Sequence, residues 1–265
     1  MAAMTLQALY RYPVKSMRGV ACQTLDVQAR GFAFDRHWML TDPQGDFLSQ
    51  RQQPRMALIS ADLHEDGLLQ LRAPGMADLS ISTGSDERIE VVVWGDTVQA
   101  APAGTDADAW LSQFLGLACR LVRLPEDAIR AVDPDYAHSS DQVGFADGFP
   151  FLLISQASLD DLNARLDVAV PMLRFRPNLV VDGCGAFAED GWRRIRIGDI
   201  EFRVAKPCSR CIIPTIDPAT GVRGREPLRT LMSYRRRDNK VYFGQNLVHD
   251  AVGHLAVGMP VEVLE

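Results

Sequence analysis

Cys208 and Cys211 stand in Lys206-Pro207-Cys208-Ser209-Arg210-Cys211, followed by the apolar pair Ile212-Ile213 and then by Asp217-Pro218. A thiolate binds soft metals and attacks electrophiles, and flanking Lys206 and Arg210 oppose the cost of an ionised sulfur. The spacing admits three chemistries: half of a zinc site, a thiol redox pair, or a loop in which one sulfur holds a metal-bearing cofactor. A structural zinc site needs two more ligands. Cys22, Cys119 and Cys184 are scattered singly, however, and no histidine pair stands at the short spacing that completes such sites. A redox pair should open a helix, but Pro214 and the turn Asp217-Pro218-Ala219-Thr220-Gly221 leave little room for one. The surviving reading is a strand-to-loop segment offering one soft ligand, set against the bland alternative of a buried, inert cysteine.

Basic residues in apolar or Pro-marked surroundings are the next candidates. In Tyr12-Pro13-Val14-Lys15-Ser16 the proline stops regular strand pairing just before a cation and a hydroxyl, a combination suited to an oxyanion. Asp35-Arg36-His37-Trp38 and Arg174-Phe175-Arg176-Pro177-Asn178 each put arginines beside a strand. The guanidinium fork matches phosphate or the edge of a planar heterocycle better than the point charge of lysine does. Taken singly, each arginine is more economically read as pairing with a surface carboxylate. The company of the cysteine loop is what raises them.

The elements that position these residues read as mainly β with a few helices. Leu6–Tyr10, Trp38–Thr41, Met56–Leu63, Leu68–Leu71 and Ile89–Trp94 are short apolar runs. They are separated by Asp42-Pro43-Gln44-Gly45, Glu65-Asp66-Gly67 and Gly95-Asp96, as in a barrel or sandwich. From Thr105 to Gly116, Trp110, Leu111, Phe114 and Leu115 recur at helical spacing, with a Thr or Asp cap expected, and their aromatic rings are core contacts. Pro125 to Gly148 is polar and aperiodic, a long excursion between two halves, with the 131–146 stretch a lid or a loop. Beyond it, Phe151–Ile154 predicts a buried strand and Ser155 opens a helix carrying Leu159, Leu162 and Leu166. Arg193–Ile197 and Ile200–Val204 form a hairpin around Gly198-Asp199, Leu228–Arg235 a helix, and Leu179–Val181, Val241–Val248 and Val261–Leu264 further strands. The domain expectation is residues 1–124 and 125–265.

The chain has 265 residues, 47% hydrophobic and 23% charged, enough for a sizeable core. A net charge of −6 argues against a nucleic-acid polymer or an anionic membrane as partner, so any anion site is local. Five cysteines and no signal-like N-terminus point away from a secreted disulfide framework, and no run reaches the roughly 20 apolar residues of a membrane span. A cytoplasmic protein is expected.

Tyr12-Pro13-Val14-Lys15-Ser16, Asp35-Arg36, Phe175-Arg176-Pro177-Asn178, the Cys208–Cys211 loop with Asp217-Pro218, and Phe243-Gly244-Gln245-Asn246 together resemble the MOSC family. The branch is that of the amidoxime-reducing components and their bacterial counterparts. The resemblance spans nearly the whole chain and implies an N-terminal β-barrel-like domain followed by a β-barrel MOSC domain. It implies a molybdenum–molybdopterin cofactor whose metal is bound by the second cysteine, Cys211, with Cys208 packing beside or tuning it. It implies that Lys15, Ser16, Arg36, Arg176 and Asn178 hold the pterin and its phosphate. Asp147 matches an aspartate near the cofactor, although this chain has Gly148 and Phe149 where relatives carry small hydroxyl residues. The implied activity is reduction of N-hydroxylated small molecules (amidoximes, hydroxylamines, hydroxylated nucleobases) to amine-type products. A cofactor carrier or sulfur-carrier binding protein without reductase activity is the alternative. No proton donor is evident, with His37 and Asp147 as candidates. Some relatives continue into a ferredoxin-like domain whereas this sequence stops at Glu265, so a separate flavoprotein, ferredoxin or cytochrome is expected as electron donor.

Overall fold

Short β-branched and aromatic runs, broken by Gly, Pro and Asp turns, build a mainly β molecule with three α-helices among the described residues. The computed structural model describes residues 3–64, 67–82 and 86–265. Glu65 and Asp66 of the expected turn lie outside the described residues.

The central element is a nine-stranded sheet. Its order runs Val261–Val263, Arg194–Ile197, Ile200–Ser209, Lys240–His249, Phe151–Ser155, Leu179–Asp182, Thr5–Arg11 and Val20–Cys22, with Arg236–Arg237 pairing beside Lys240–His249. Phe151–Ser155 and Leu179–Asp182 pair in parallel, and the helix Gln156–Asn163 lies between them in sequence. A parallel pair needs such a crossover. Ser155 caps that helix, accepting from the Ser158 amide at 3.1 Å. Leu159 and Leu162 are buried, and Leu166 falls beyond the helix end. One core layer rests on this sheet, with Phe151 edge-on to Phe32 and to Phe202 at 4.9 and 5.3 Å.

A second layer gathers the four-stranded sheet Trp38–Thr41, Arg120–Arg123, Asp96–Pro102, Ile89–Val93 and the three-stranded sheet Ser60–Leu63, Leu69–Arg72, Leu79–Ile81. Trp38, Leu40, Leu69, Leu71 and Leu121 pack there against Trp110, Leu111 and Phe114 of the helix Thr105–Leu115. That helix is entered through Gly104 without a side-chain cap, contrary to the expected Thr or Asp, and ends on left-handed Gly116. The expected strand Met56–Leu63 splits into a 3-10 turn, Pro54–Leu58, and the strand Ser60–Leu63, because Pro54 opens a turn.

The halves are stitched together. Thr5–Arg11 pairs with Leu179–Asp182, and Thr24–Gln28 pairs with Gly253–Ala256. The polar 125–148 excursion is an ordered loop tied down by Ala131 bridging Gln142 and by Arg203 on Asp141 at 2.8 Å. No described helix is long and apolar enough to cross a membrane.

Candidate functional site

Cys211 lies just past the end of Ile200–Ser209. Two register shifts against Lys240–His249, at Val204/Lys206 and Pro207/Ser209, bend this strand where Pro207 cannot donate to the ladder. Lys206, Cys208 and Cys211 all line one cleft of about 1630 Å³ as a result. The segment after Cys211 is the short 3-10 turn Ile213–Thr215 rather than an α-helix, as Pro214 requires. Among the described residues no three His, Cys, Asp or Glu side chains gather as a metal site. The protein therefore offers soft thiol donors rather than a chelating set, and a metal bound there has to bring most of its own ligands.

Lys15 is reached from the first strand. After Arg11 the chain leaves the sheet at Pro13, the Lys15 amide donates to the Trp38 carbonyl at 2.8 Å, and Ser16 turns at φ 66°. Lys15 is only 4% exposed. Its Nζ donates to the Phe145 carbonyl at 2.7 Å and to Asp147 Oδ1. Asp147 is held by its loop: Gly144 packs where a Cβ would meet the Arg36 and Asp35 carbonyls at 3.0 Å. Buried Arg130 donates to the Gly144 and Ala146 carbonyls at 2.8 and 2.6 Å.

Arg51 joins these parts. One guanidinium nitrogen lies 3.2 Å from Asp147 Oδ2 and 3.4 Å from Cys211 Sγ, and its plane sits 4.7 Å from the Trp94 ring centre. The Trp94 indole N–H donates to Asp147 Oδ1 at 3.3 Å. Neither Arg51 nor Trp94 is marked by a sequence motif. Trp94 reads as the last residue of an apolar strand, yet it is the left-handed residue of a tight Trp94-Gly95 turn, at φ 57°. Arg51 lies in the polar run Ser49-Gln50-Arg51-Gln52-Gln53. Its partners, Asp147 and Cys211, are 96 and 160 residues away.

Burial pushes Lys15 down to about 8, against the opposing pull of Asp147. Burial alone would raise Asp147, but Lys15 and then Arg51 override it and hold its carboxyl well below the usual carboxylate range. Its side chain is 56% exposed to the cleft, so water screens these charges and no stability is credited to them. His37 is placed elsewhere, against Phe34 and Trp38, and burial followed by Arg30 and Arg123 lowers it to about 4.

Arg36, Arg176 and Asn178 form a second cluster that does not line the cleft, with Arg36 and Asn178 buried and Arg176 partly buried. Both guanidinium groups stack on the Tyr12 ring, at 4.2 and 4.3 Å. Arg36 donates to Asp35, to Asn178 Oδ1 at 2.9 Å and to the Arg176 carbonyl at 3.3 Å. Arg36 and Arg176 adopt φ of 47° and 58°, left-handed conformations that bulky residues rarely hold. Asn178 also donates to the Tyr10 carbonyl and accepts from the Leu152 amide. Ser16 is buried, and its carbonyl accepts from Gln50 at 2.7 Å. The structure thus brings Lys15, Asp147 and Cys211 together and sets Arg36, Arg176 and Asn178 apart as a strained layer among the incoming strands.

Seven lysines and arginines line the cleft against four aspartates, in a chain whose net charge is −6. Arg210 donates to Cys208 Sγ at 3.1 Å and to the Phe175 carbonyl at 2.7 Å, while its buried Nε has no partner. A cleft with surplus positive charge, an accessible thiol and an unspent guanidinium donor fits a sulfur-ligated anionic cofactor. Lys206 stacks over Tyr136 and Phe149 at 4.0 and 5.0 Å and lies 3.5 Å from Asp133, so the loop supplies an aromatic wall to the cleft.

Two family models match: the MOSC N-terminal beta barrel domain over residues 3–118, and the MOSC domain over residues 140–262. Mitochondrial amidoxime-reducing component 1 of Mus musculus is 38% identical over 98% of this chain and 82% of its own length. The Homo sapiens component 1 is 38% identical over 98% and 83%. Mitochondrial amidoxime reducing component 2 of Bos taurus is 37% identical over 97% and 82%.

Proposed function

Because this chain belongs to the MOSC family, alongside the amidoxime-reducing components, we propose that it is an oxidoreductase that reduces N-hydroxylated compounds to amine-type products with a molybdenum–molybdopterin cofactor. Electrons come from a separate donor protein. The observation that carries this reading is the Arg51 guanidinium, which touches both Cys211 Sγ and the Asp147 carboxylate on the floor of a net-positive cleft.

Cys211 is the metal ligand in this reading, and Lys206 and Arg210 offer the cofactor's phosphate their positive charge. When bound, the cofactor supplies the two-electron chemistry at the N–O bond. Arg51 fixes the direction of the Cys211 sulfur and balances its charge. Asp147, ionised at neutral pH, cannot store a proton, and neutral His37 lies away from the cleft. Lys15 is the titratable group that holds a proton there, at Nζ against Asp147 Oδ1, with a pKa near working pH. The aromatic wall of Tyr136 and Phe149 orients flat substrates and excludes water on one side.

The test is elemental analysis and benzamidoxime turnover with an artificial reductant, on protein from cells that make the cofactor. Wild type should carry near-stoichiometric molybdenum, Cys211→Ala neither molybdenum nor turnover, and Cys208→Ala a smaller loss. Zinc in place of molybdenum, or equal loss from both variants, would refute the assignment.

A further inference from the structure

The rim of the cleft beside Cys211 carries a cluster of cations with no acidic partners. Arg236–Arg237 pairs antiparallel with Lys240–Val241, and Asp238 and Asn239 close the hairpin at φ 48° and 61°. A two-residue turn with both residues left-handed matches strand twist and is stiff. Arg236 bonds the Asn239 amide oxygen at 2.6 Å and Arg237 lies 4.8 Å from the Tyr242 ring, so the hairpin presents its charges in a fixed array. Lys240 is exposed as well, as is Arg225 before the helix Leu228–Tyr234. Among the described residues no carboxylate approaches any of these four within 4.0 Å, and Glu226 is taken by Arg229. Some surface arginines elsewhere are paired, as Arg194 is with Glu201 and Asp250 and Arg196 with Glu262, and others such as Arg18, Arg55, Arg120 and Arg193 stand without an ion pair among the described residues, but singly.

One exposed apolar side chain, Met232 at 51%, shares the cleft lining with Arg236, Arg237 and Lys240. An apolar centre with an arginine rim is the anatomy of a protein interface. A nucleic acid would favour exposed aromatic rings, which the 222–240 stretch does not present. Arg236, Arg237, Lys240 and Met232 share the lining of the cleft that holds Cys211.

We propose that the Arg236–Lys240 hairpin with Met232 is the docking surface for an acidic one-electron carrier protein, which delivers electrons at the mouth of the cleft. This rests on the reductase reading. For an amidoxime, two reduced carriers are each oxidised by one electron. Two protons are consumed, the N–O bond breaks, and the products are the amidine and one water.

The holoenzyme is assayed on benzamidoxime, driven in parallel by reduced methyl viologen, by a plant-type ferredoxin and by a flavodoxin. Salt is varied between about 50 and about 500 mM, which shortens the screening length from about 14 to about 4 Å. Carrier-driven kcat/KM should fall about tenfold or more over that range. It should fall by about as much at low salt in Arg236→Glu/Arg237→Glu/Lys240→Glu, read as the ratio of carrier-driven to viologen-driven kcat/KM in the same protein per bound molybdenum, and the viologen turnover that remains shows that the variant is folded. Salt-independent carrier kinetics, an unaffected triple variant, or failure of both carriers with an enzyme that viologen drives would overturn the proposal. So would salt-sensitive capture of a single-stranded oligonucleotide that the triple variant abolishes while carrier kinetics stay normal. Absence of viologen turnover in wild type sinks the reductase reading instead, and this proposal with it.

Discussion

Replacing Lys15 by methionine keeps the side-chain length and removes a buried charge. In the native protein burial brings the Lys15 pKa from 10.5 to about 8, a value that already includes the attraction of Asp147. A difference of about 2.5 units corresponds to about 3 kcal/mol. Because the native pKa lies below the unfolded one, the unfolded chain binds more protons between pH 8 and 10.5, and stability rises with pH through that window. Below pH 8 the charged lysine costs its full amount. Methionine never carries this cost, but it strips the Phe145 carbonyl of its donor, a loss of about 1–2 kcal/mol. At pH 7 the variant should therefore match or exceed wild type by about 0–2 kcal/mol, or about 0–6 °C in Tm. The assay is urea unfolding of cofactor-free protein at intervals from pH 7 to 10.5. Wild-type stability minus variant stability should climb by about 3 kcal/mol across the window, since titrations common to both proteins cancel. A flat or falling difference would refute the picture of a desolvated ammonium. Molybdenum retention should move the opposite way, with a more stable variant holding less of it, because a site that favours an anion is destabilised when empty.

Arg51→Met removes the donor shared by Cys211 and Asp147 at a partly exposed position. Stability should change by less than about 1 kcal/mol, while kcat/KM with an artificial reductant falls about 10- to 100-fold. Equal activity would remove Arg51 from the site. Arg36→Lys keeps the charge but cannot reproduce the fork to Asn178 and the Arg176 carbonyl or the stack on Tyr12. Calorimetry should show a loss of about 2–3 kcal/mol and a Tm lower by about 5–10 °C, whereas an unchanged Tm would mean the buried cluster carries little of the fold.

The cysteine loop was legible because local chemistry announces it: two thiols, two cations and a proline within six residues. Lys15 and Asp147 stood out only through motif company, and their contact, across 132 residues, is a product of the fold. Arg51 had no such company, since an arginine among glutamines and serine reads as a solvated surface. Strands read well where both faces are buried, as in Trp38–Thr41. Thr24–Gln28 escaped because it exposes alternate polar residues and shows only Leu25 and Val27 as apolar, too short a pattern to separate from loop. Arg36 and Arg176 stand out as candidate anion ligands by residue type, while their contacts in the fold, Arg36 with Asn178 and Arg176 with the Met17 carbonyl, join distant segments that no local pattern announces.

The pairing of Thr24–Gln28 with Gly253–Ala256, and of Thr5–Arg11 with Leu179–Asp182, has a temporal meaning on the ribosome. At about 5–20 residues per second the opening strands wait about 10–50 seconds for those partners to emerge. Lys15 follows Thr5–Arg11, whose partner Leu179–Asp182 is made much later, so its contact with Asp147 is fixed only after both partners have emerged. Chains arrested near residue 240 should be cleaved by protease within residues 20–30, and released full chains should resist. The order of translation thus makes the closing of the fold a late event, when Thr24–Gln28 meets Gly253–Ala256, and on the reading proposed above cofactor loading follows it.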